Sequence, residues 1–325
     1  MKFFFGVISK NQVDTIIDFS LTNPNIEITF IPSRRQIEFN GGYVNNWTTR
    51  TFAEYVKTLN PHIKIERDHG GPGQGTVDDD GFASLEEDCK YFDIMHIDSW
   101  KKYPELNEGI EWTIRMIEFC YNLNPNIEYE IGTEEAIRPF TTEELETIIK
   151  TLKENLDSKI YDKIKYCVVQ CGNALCNGKN SDIFDEKRLA EMLKLVKTYN
   201  FVSKEHNGDW VSKSTMKQKQ KLGLECINIA PEFGEIESRV ILNTIKGNRE
   251  HYIDTYNMCI NSGKWKKWVS VDFDYCKNQD EIILITCHYI YTMPEFINIK
   301  NSYFNIDLFI KSTVHNKLLN LYFTN

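Results

Sequence analysis

With 325 residues, 41% of them hydrophobic and 26% charged, the chain has ordinary globular composition and enough apolar material for one large core. A net charge of −9 leaves no basic stripe to neutralise a phosphate backbone, which excludes nucleic acid as a partner. A small phosphorylated substrate, which needs only a few local cations, is not excluded. No run approaches the ~18 apolar residues of a membrane span, and the apolar start of MKFFFGVISKNQVD is too short for a signal peptide, so a soluble, cytoplasmic protein is expected. The nine cysteines show no repeated CxxC, and several sit in apolar runs, as buried thiols in a reducing compartment do.

In chain order, β-rich runs alternate with segments of helical period. FFFGVIS (3–9) and IEITFIP (26–32) come first, then TFAEYVKTL with helical spacing. IKIERDH (63–69) and FDIMHID (92–98) follow, then the amphipathic GIEWTIRMIEFCYNL. IEYEIG (127–132), helical TEELETIIKTLKENL and IKYCVVQ (164–170) precede DEKRLAEMLKLVKTY, where Leu189, Met192, Leu193 and Val196 form one apolar stripe. FVSKEH (201–206), LECINIA (224–230) and the helical SRVILNTIKG close the series. Eight strands alternating with helices predict a (β/α)₈ TIM barrel over 1–248. An open doubly wound sheet would carry a glycine-rich turn after its first strand, and VISKNQVD is not one. From 249 to 325 the pattern reads as a helical C-terminal extension packed on the barrel, and it equally allows an oligomer contact.

Alternation along each strand puts Glu66 with Asp68, His96 with Asp98, Glu128 with Glu130, Lys204 with His206, and Cys226 with Asn228 on one face, with Gln170 at the end of its own strand. A barrel that was only a scaffold would carry Val, Ile and Leu there, because each buried ionisable group costs several kcal/mol unless it pairs or binds something. A functional ring at the C-terminal strand ends is therefore expected. His69 and His206, on different strands at one level, are candidate ligands of a divalent metal. His96 is expected deeper, in a structural or supporting role, and His288 in the core. Gly70, Gly71 and Gly73 in the DHGGPGQG loop could let backbone N–H groups approach an anion. Arg34 or Arg35, after the second strand, could hold a phosphate or carboxylate. The Lys-Lys pairs at 101–102 and 266–267 read as solvated surface, and the acids at 78–80 as a helix N-terminus.

The runs FGVISKNQVDTIIDFSL, QIEFNGGYVNNWTTRTFAEYV, RDHGGPGQG and MHIDSW resemble the barrel subunit of tagatose-bisphosphate aldolase, also described as a tagatose-6-phosphate kinase or as non-catalytic. The family pattern is roughly QxNxxGGYxxMTPxxF, GGDHxGP and HxDxS; here Glu38 replaces the middle Asn, and Trp47, Thr48 and Thr49 stand for its MTP. The wider resemblance is to class II, zinc-dependent fructose- and tagatose-bisphosphate aldolases. It implies a proton-transfer role for Asp68, a zinc-ligand role for His69, and Glu130, Glu134 and Glu135 as candidates from a glutamate-rich segment. By the same resemblance His206 is a late ligand and Asn228 a substrate contact. A further ligand histidine of those enzymes is matched here by Leu175, in CGNAL, so either Glu130, Gln170 or Glu205 completes the metal's ligand set or the metal is absent.

The leading expectation is a class II aldolase-like lyase. Divalent metal, Zn²⁺ by the resemblance, sits on His69 and His206, Asp68 transfers a proton, and Arg34, Arg35 and the glycine loop hold the phosphate of a sugar (bis)phosphate. Two alternatives stand beside it: a non-catalytic stabilising partner of an aldolase subunit, and Schiff-base chemistry at Lys204.

Overall fold

A computed structural model describes residues 1–173 and 183–323, with the backbone of Leu175–Cys176 and Lys179–Asn180 between them. The eight expected runs supply eight parallel strands: β1 (Lys2–Phe5), β2 (Thr29–Phe30), β3 (Lys64–Gly70), β4 (Ile94–Ile97), β5 (Glu128–Ile131), β6 (Ile164–Val168), β7 (Val202–Glu205) and β8 (Cys226–Ile229). Each pairs with its neighbours in sequence, and β1 pairs with β8, Lys2–Phe5 lying opposite Cys226–Ile229, so the sheet closes into a barrel. The helices that follow the strands are α1 (Lys10–Thr22), α2 (Thr49–Leu59), α3 (Phe82–Tyr91), α4 (Leu106–Leu123), α5 (Thr142–Asn155), α6 (Glu186–Thr198), α7 (Lys213–Leu222) and α8 (Pro231–Ile245). Several begin where a side chain satisfies the first orphan amides: Ser9 accepts from the Gln12 amide, and Thr141 with Glu144 forms a reciprocal capping box.

Residues on the outer face of the strands and the inner stripes of the helices make one large apolar layer. Phe5 meets Phe233 of α8 edge-on with ring centroids 5.6 Å apart, and Leu189, Met192 and Val196 of α6 are fully covered. The barrel interior is different. Its apolar cluster is small, Phe4, Ile31 and Cys226 with Tyr166 and Val202 against them, and above it the inward residues are charged.

Arg67 lies on the outer side of β3, fully buried, and organises the start of the site. It forms a two-point ion pair with Asp88 of α3 at 2.7 and 2.6 Å and donates to the carbonyls of Pro32 and Ile37. It therefore joins the strand end to α3 and to the loop after β2.

Past α8 come α9 (Arg249–Asn261), α10 (Gln279–Thr286), α11 (Pro294–Asn301) and α12 (Ile306–Phe323). Both α10 and α12 pack on α8, and α12 also packs on α1. Among the described residues no single helix is long and apolar enough to cross a membrane.

Removing one partner of a buried ion pair strands the other charge. Arg67→Met is expected to lower unfolding free energy by about 3–5 kcal/mol in urea titrations. A loss under about 1 kcal/mol would mean the pair contributes only at the surface level.

Candidate active site

Asp68, His69, His96 and His206 converge at the C-terminal mouth of the barrel, each offering one ligand atom within 4.8 Å of the others. The three imidazoles form a triangle with centroids 5.0, 5.2 and 4.9 Å apart. Strict alternation would send Asp68 and His69 to opposite sides. The register of β3 against β4 shifts between Arg67 and Gly70, and His69 adopts φ +48°, so both side chains enter the cluster, His69 Nε2 lying 3.7 Å from Asp68 Oδ2. Gly71 is required next, since a Cβ there would lie 2.5 Å from the Asp98 carbonyl.

Each imidazole is oriented from behind. His69 Nδ1 meets Asp98 Oδ2 at 2.6 Å, which leaves Nε2 for the cluster. Asp98 is itself fixed by Gln74, Thr133 and the Trp100 amide. Burial keeps His206 below the usual histidine range. Its Nε2–H is placed to donate to Glu130 Oε1 at 3.1 Å, so its neutral ring turns Nδ1 inward, 4.0 Å from Asp68 Oδ1. His96 Nδ1 accepts from the His69 amide at 3.1 Å and its Nε2–H reaches the Gly132 carbonyl at 3.0 Å; that Nδ1 lies 3.7 Å from Asp68 Oδ1. The carboxylate–histidine arrangement at His69 and His206 is the support that metal-binding imidazoles use.

The donor set fits a divalent cation. Asp68 Oδ1 is buried and has no hydrogen-bond partner among the described residues. Burial alone would raise its carboxyl pKa, but His69, which Asp68 and Asp98 raise to about 10, and the adjacent His96 hold it well below the usual range, so it is ionised. The separations of 3.7 Å from His69 Nε2 and 4.0 Å from His206 Nδ1 to the Asp68 carboxylate need only a small contraction to reach the ~3.4 Å donor spacing of a tetrahedron with ~2.1 Å metal–nitrogen bonds.

Glu130, expected as a ligand, stands behind His206 instead. Its second oxygen accepts from Lys204 Nζ at 2.6 Å, and Lys204 also bonds Glu66 at 2.7 Å, over the face of Phe4 at 4.1 Å. Burial and the adjacent Glu130 push Glu66 well up, whereas Lys204 and His96 hold Glu130 well down against its burial. Lys204 is raised above the ordinary lysine range by these carboxylates, which outweigh desolvation. It lies below the cavity, fully buried and cationic, the opposite of what an attacking amine needs.

A cavity of about 530 Å³ opens above the cluster, with Asp68, His69, His206 and Asn228 in its floor and Glu134 on its side. Asn228 Oδ1 has no partner among the described residues. Arg35 lines the cavity, but Arg34 does not: its guanidinium is engaged by Glu38, Asp79 and the Gly71 carbonyl. Asp79, one of the acids expected at a helix start, thus holds Arg34, and α3 begins after Gly81.

Gly70, Gly71 and Gly73 lie outside the cavity walls. The Gly70 carbonyl accepts from the Asp98 amide, and Gly73 N–H donates to the Asp79 carbonyl, so this backbone ties loops together. Gln170 is likewise engaged structurally, with Thr133, Arg138, Phe140 and Arg188. Glu135 pairs with Arg188, and Glu205 with Lys219. The side chains of Leu175 and Cys176 lie outside the described residues.

Lys101 and Lys267, from the two pairs that read as solvated surface, both line the cavity. So do Trp268, His288 and Tyr289 from the C-terminal segment. The HxD spacing of MHIDSW signals His96 and Asp98; nothing local signals that a lysine at 267 reaches the barrel mouth.

The chain shares this fold with a probable tagatose 6 phosphate kinase from Sinorhizobium meliloti, at 13% identity over 99% of this chain and 90% of that one, with a TM-score of 0.76. It is also similar to the fructuronate-tagaturonate epimerase UxaE from Cohnella laeviribosi (10% identity, 100% and 82% covered, TM-score 0.65). A fructose-bisphosphate aldolase from Campylobacter jejuni matches at 12% identity, with 99% and 88% covered and a TM-score of 0.59. No family model and no curated protein matches the sequence. The likeness to these solved structures is one of fold.

If Glu130 orients His206, Glu130→Gln should weaken binding of a divalent ion by about 10–100-fold in chelator competition. Unchanged affinity with reduced thermal stability would assign Glu130 to folding alone.

Proposed function

We propose that the protein is a metal-dependent lyase of the class II aldolase type, cleaving or forming a carbon–carbon bond in a sugar phosphate. The observation that carries the proposal is the Asp68–His69–His96–His206 cluster, oriented by buried carboxylates, in the floor of a cavity sized for a small molecule. The aldolases among the structural neighbours lend support by fold.

His69, His206 and Asp68 would hold the ion, with His96 behind them. When bound, a divalent ion, zinc by the family resemblance, supplies Lewis-acid polarisation of a substrate carbonyl oxygen. Asp68, ionised at rest, accepts the proton of the substrate hydroxyl as the bond beside it breaks, and returns it in the condensing direction. The partnerless Asn228 Oδ1 accepts a hydrogen bond from a second hydroxyl. Asp98 and Glu130 keep both liganding imidazoles in one tautomer throughout.

Epimerisation of a sugar acid is the second reading. It is favoured by the fold likeness to an enzyme named for that reaction, and it would use the same floor, because both reactions move a proton next to a polarised carbonyl. The accessory-subunit reading is disfavoured by the orienting carboxylates, for which a scaffold has no use.

Purified protein should carry close to one divalent ion per chain by elemental analysis, and His206→Ala should lose it. Negligible metal after reconstitution would end the class II reading. Asp68→Asn, nearly isosteric, should keep the fold and cut turnover of a ketose phosphate by roughly 10²–10⁴-fold. Full turnover in a folded Asp68→Asn protein would remove Asp68 from the reaction.

A further inference from the structure

Three cations from distant parts of the chain share the upper wall of the cavity: Arg35 after β2, Lys101 after β4, and Lys267 beyond α9. The sequence neighbours of the first two are compensated. Arg34 pairs with Glu38 and Asp79, and Lys102 with Asp78. Among the described residues no carboxylate forms an ion pair with Arg35, Lys101 or Lys267. The chain has 47 acidic residues against 38 basic ones, so carboxylates are not scarce. Three unpaired positive charges on one concave wall give the cavity a positive potential that attracts an anion.

Two of the three heads are also held in place. Lys267 Nζ sits over the rings of Trp268 at 4.4 Å and Tyr289 at 5.1 Å, which keeps the ammonium at the cavity surface. Lys101 Nζ donates to the Gly73 carbonyl at 2.6 Å. Desolvation and then Arg35 lower Lys101 from its ordinary range, and desolvation, Arg35, Lys264 and Lys101 bring Lys267 to about 8. In both, desolvation comes first and the neighbouring cations add to it. On the same wall the buried His288 has an Nδ1 with no hydrogen-bond partner among the described residues.

We propose that Arg35, Lys101 and Lys267 form the subsite for the phosphate monoester of the substrate. The assignment rests on the sugar-phosphate reading above and sharpens it. A phosphate monoester carries close to two negative charges and three acceptor oxygens, which three cations match; a carboxylate carries one. The guanidinium fork of Arg35 can take two phosphate oxygens while the lysines act as point charges. Part of the subsite comes from the C-terminal segment, so that segment would be a functional wall as well as packing.

The test uses the full-length protein with inorganic phosphate as probe, by titration calorimetry and thermal shift, and with acetate at equal ionic strength as the comparison. Phosphate is expected to bind and raise Tm, and acetate to do neither. Arg35→Leu and Lys267→Met should each weaken phosphate binding about tenfold or more, while folding normally because each removes a repelled charge. Phosphate affinity unchanged in both folded variants overturns the subsite, and acetate binding as well as phosphate overturns the phosphate assignment. His206→Ala separates this from the metal reading: it should lose metal and keep the phosphate response. Phosphate binding in a wild-type protein that takes up no metal would leave the subsite standing and remove the lyase.

Discussion

One buried ammonium makes the interior of this barrel tolerable. Lys204 lies between Glu66 and Glu130 at 2.7 and 2.6 Å, with no access to solvent. Two carboxylates side by side in a dry interior would be strongly unfavourable; one ammonium between them, with Glu66 pushed toward its protonated form, removes most of that repulsion. Because Lys204 stabilises Glu130 as an anion, the other Glu130 oxygen can accept from His206 and fix its tautomer. The orientation of a cavity-floor imidazole is therefore set by a charge pair one layer below.

A second constraint acts from outside. Arg67 anchors the end of β3 to α3 and to the loop after β2, and the next residues depart from regular strand geometry. A left-handed φ at a non-glycine residue is unfavourable, and at His69 it is held by the tight tie of Asp98 to its ring. What that conformation achieves is specific: consecutive residues Asp68 and His69 present both side chains to one point. Regular alternation could not do this.

This difference bears on what the sequence could reveal. The barrel was legible because each strand is an apolar run of the right length and each helix carries a 3.6-residue stripe, both local patterns. The floor was half legible. Glu66, Glu130, Lys204 and His206 are inward by parity, as expected, but parity does not say which is a ligand and which a support. Glu130 and His206 differ in role only because Lys204 takes one Glu130 oxygen, a contact across 74 residues. His96 was expected deeper, and its Nδ1 comes within reach of Asp68 through the bent end of β3.

The anionic end was the least legible part. Arg34 and Arg35 are adjacent and chemically identical, yet one is locked against Asp79 and the other faces the cavity. Lys101 and Lys102 divide the same way, Lys102 turning to Asp78. In both pairs the carboxylate that decides the matter lies in the loop after β3, which also carries the glycines. Those glycines have a different use from a phosphate nest: they let the loop pass close enough to β4 for Asp79 to take Arg34, which leaves Arg35 as the uncompensated partner. The loop thus shapes the charge of the cavity wall, to which it also contributes Gln74. The C-terminal segment adds Lys267 against Trp268 and Tyr289. A barrel alone would present a floor suited to a proton and an ion, and this segment gives the cavity a cationic side from which a phosphorylated substrate could be oriented toward that floor.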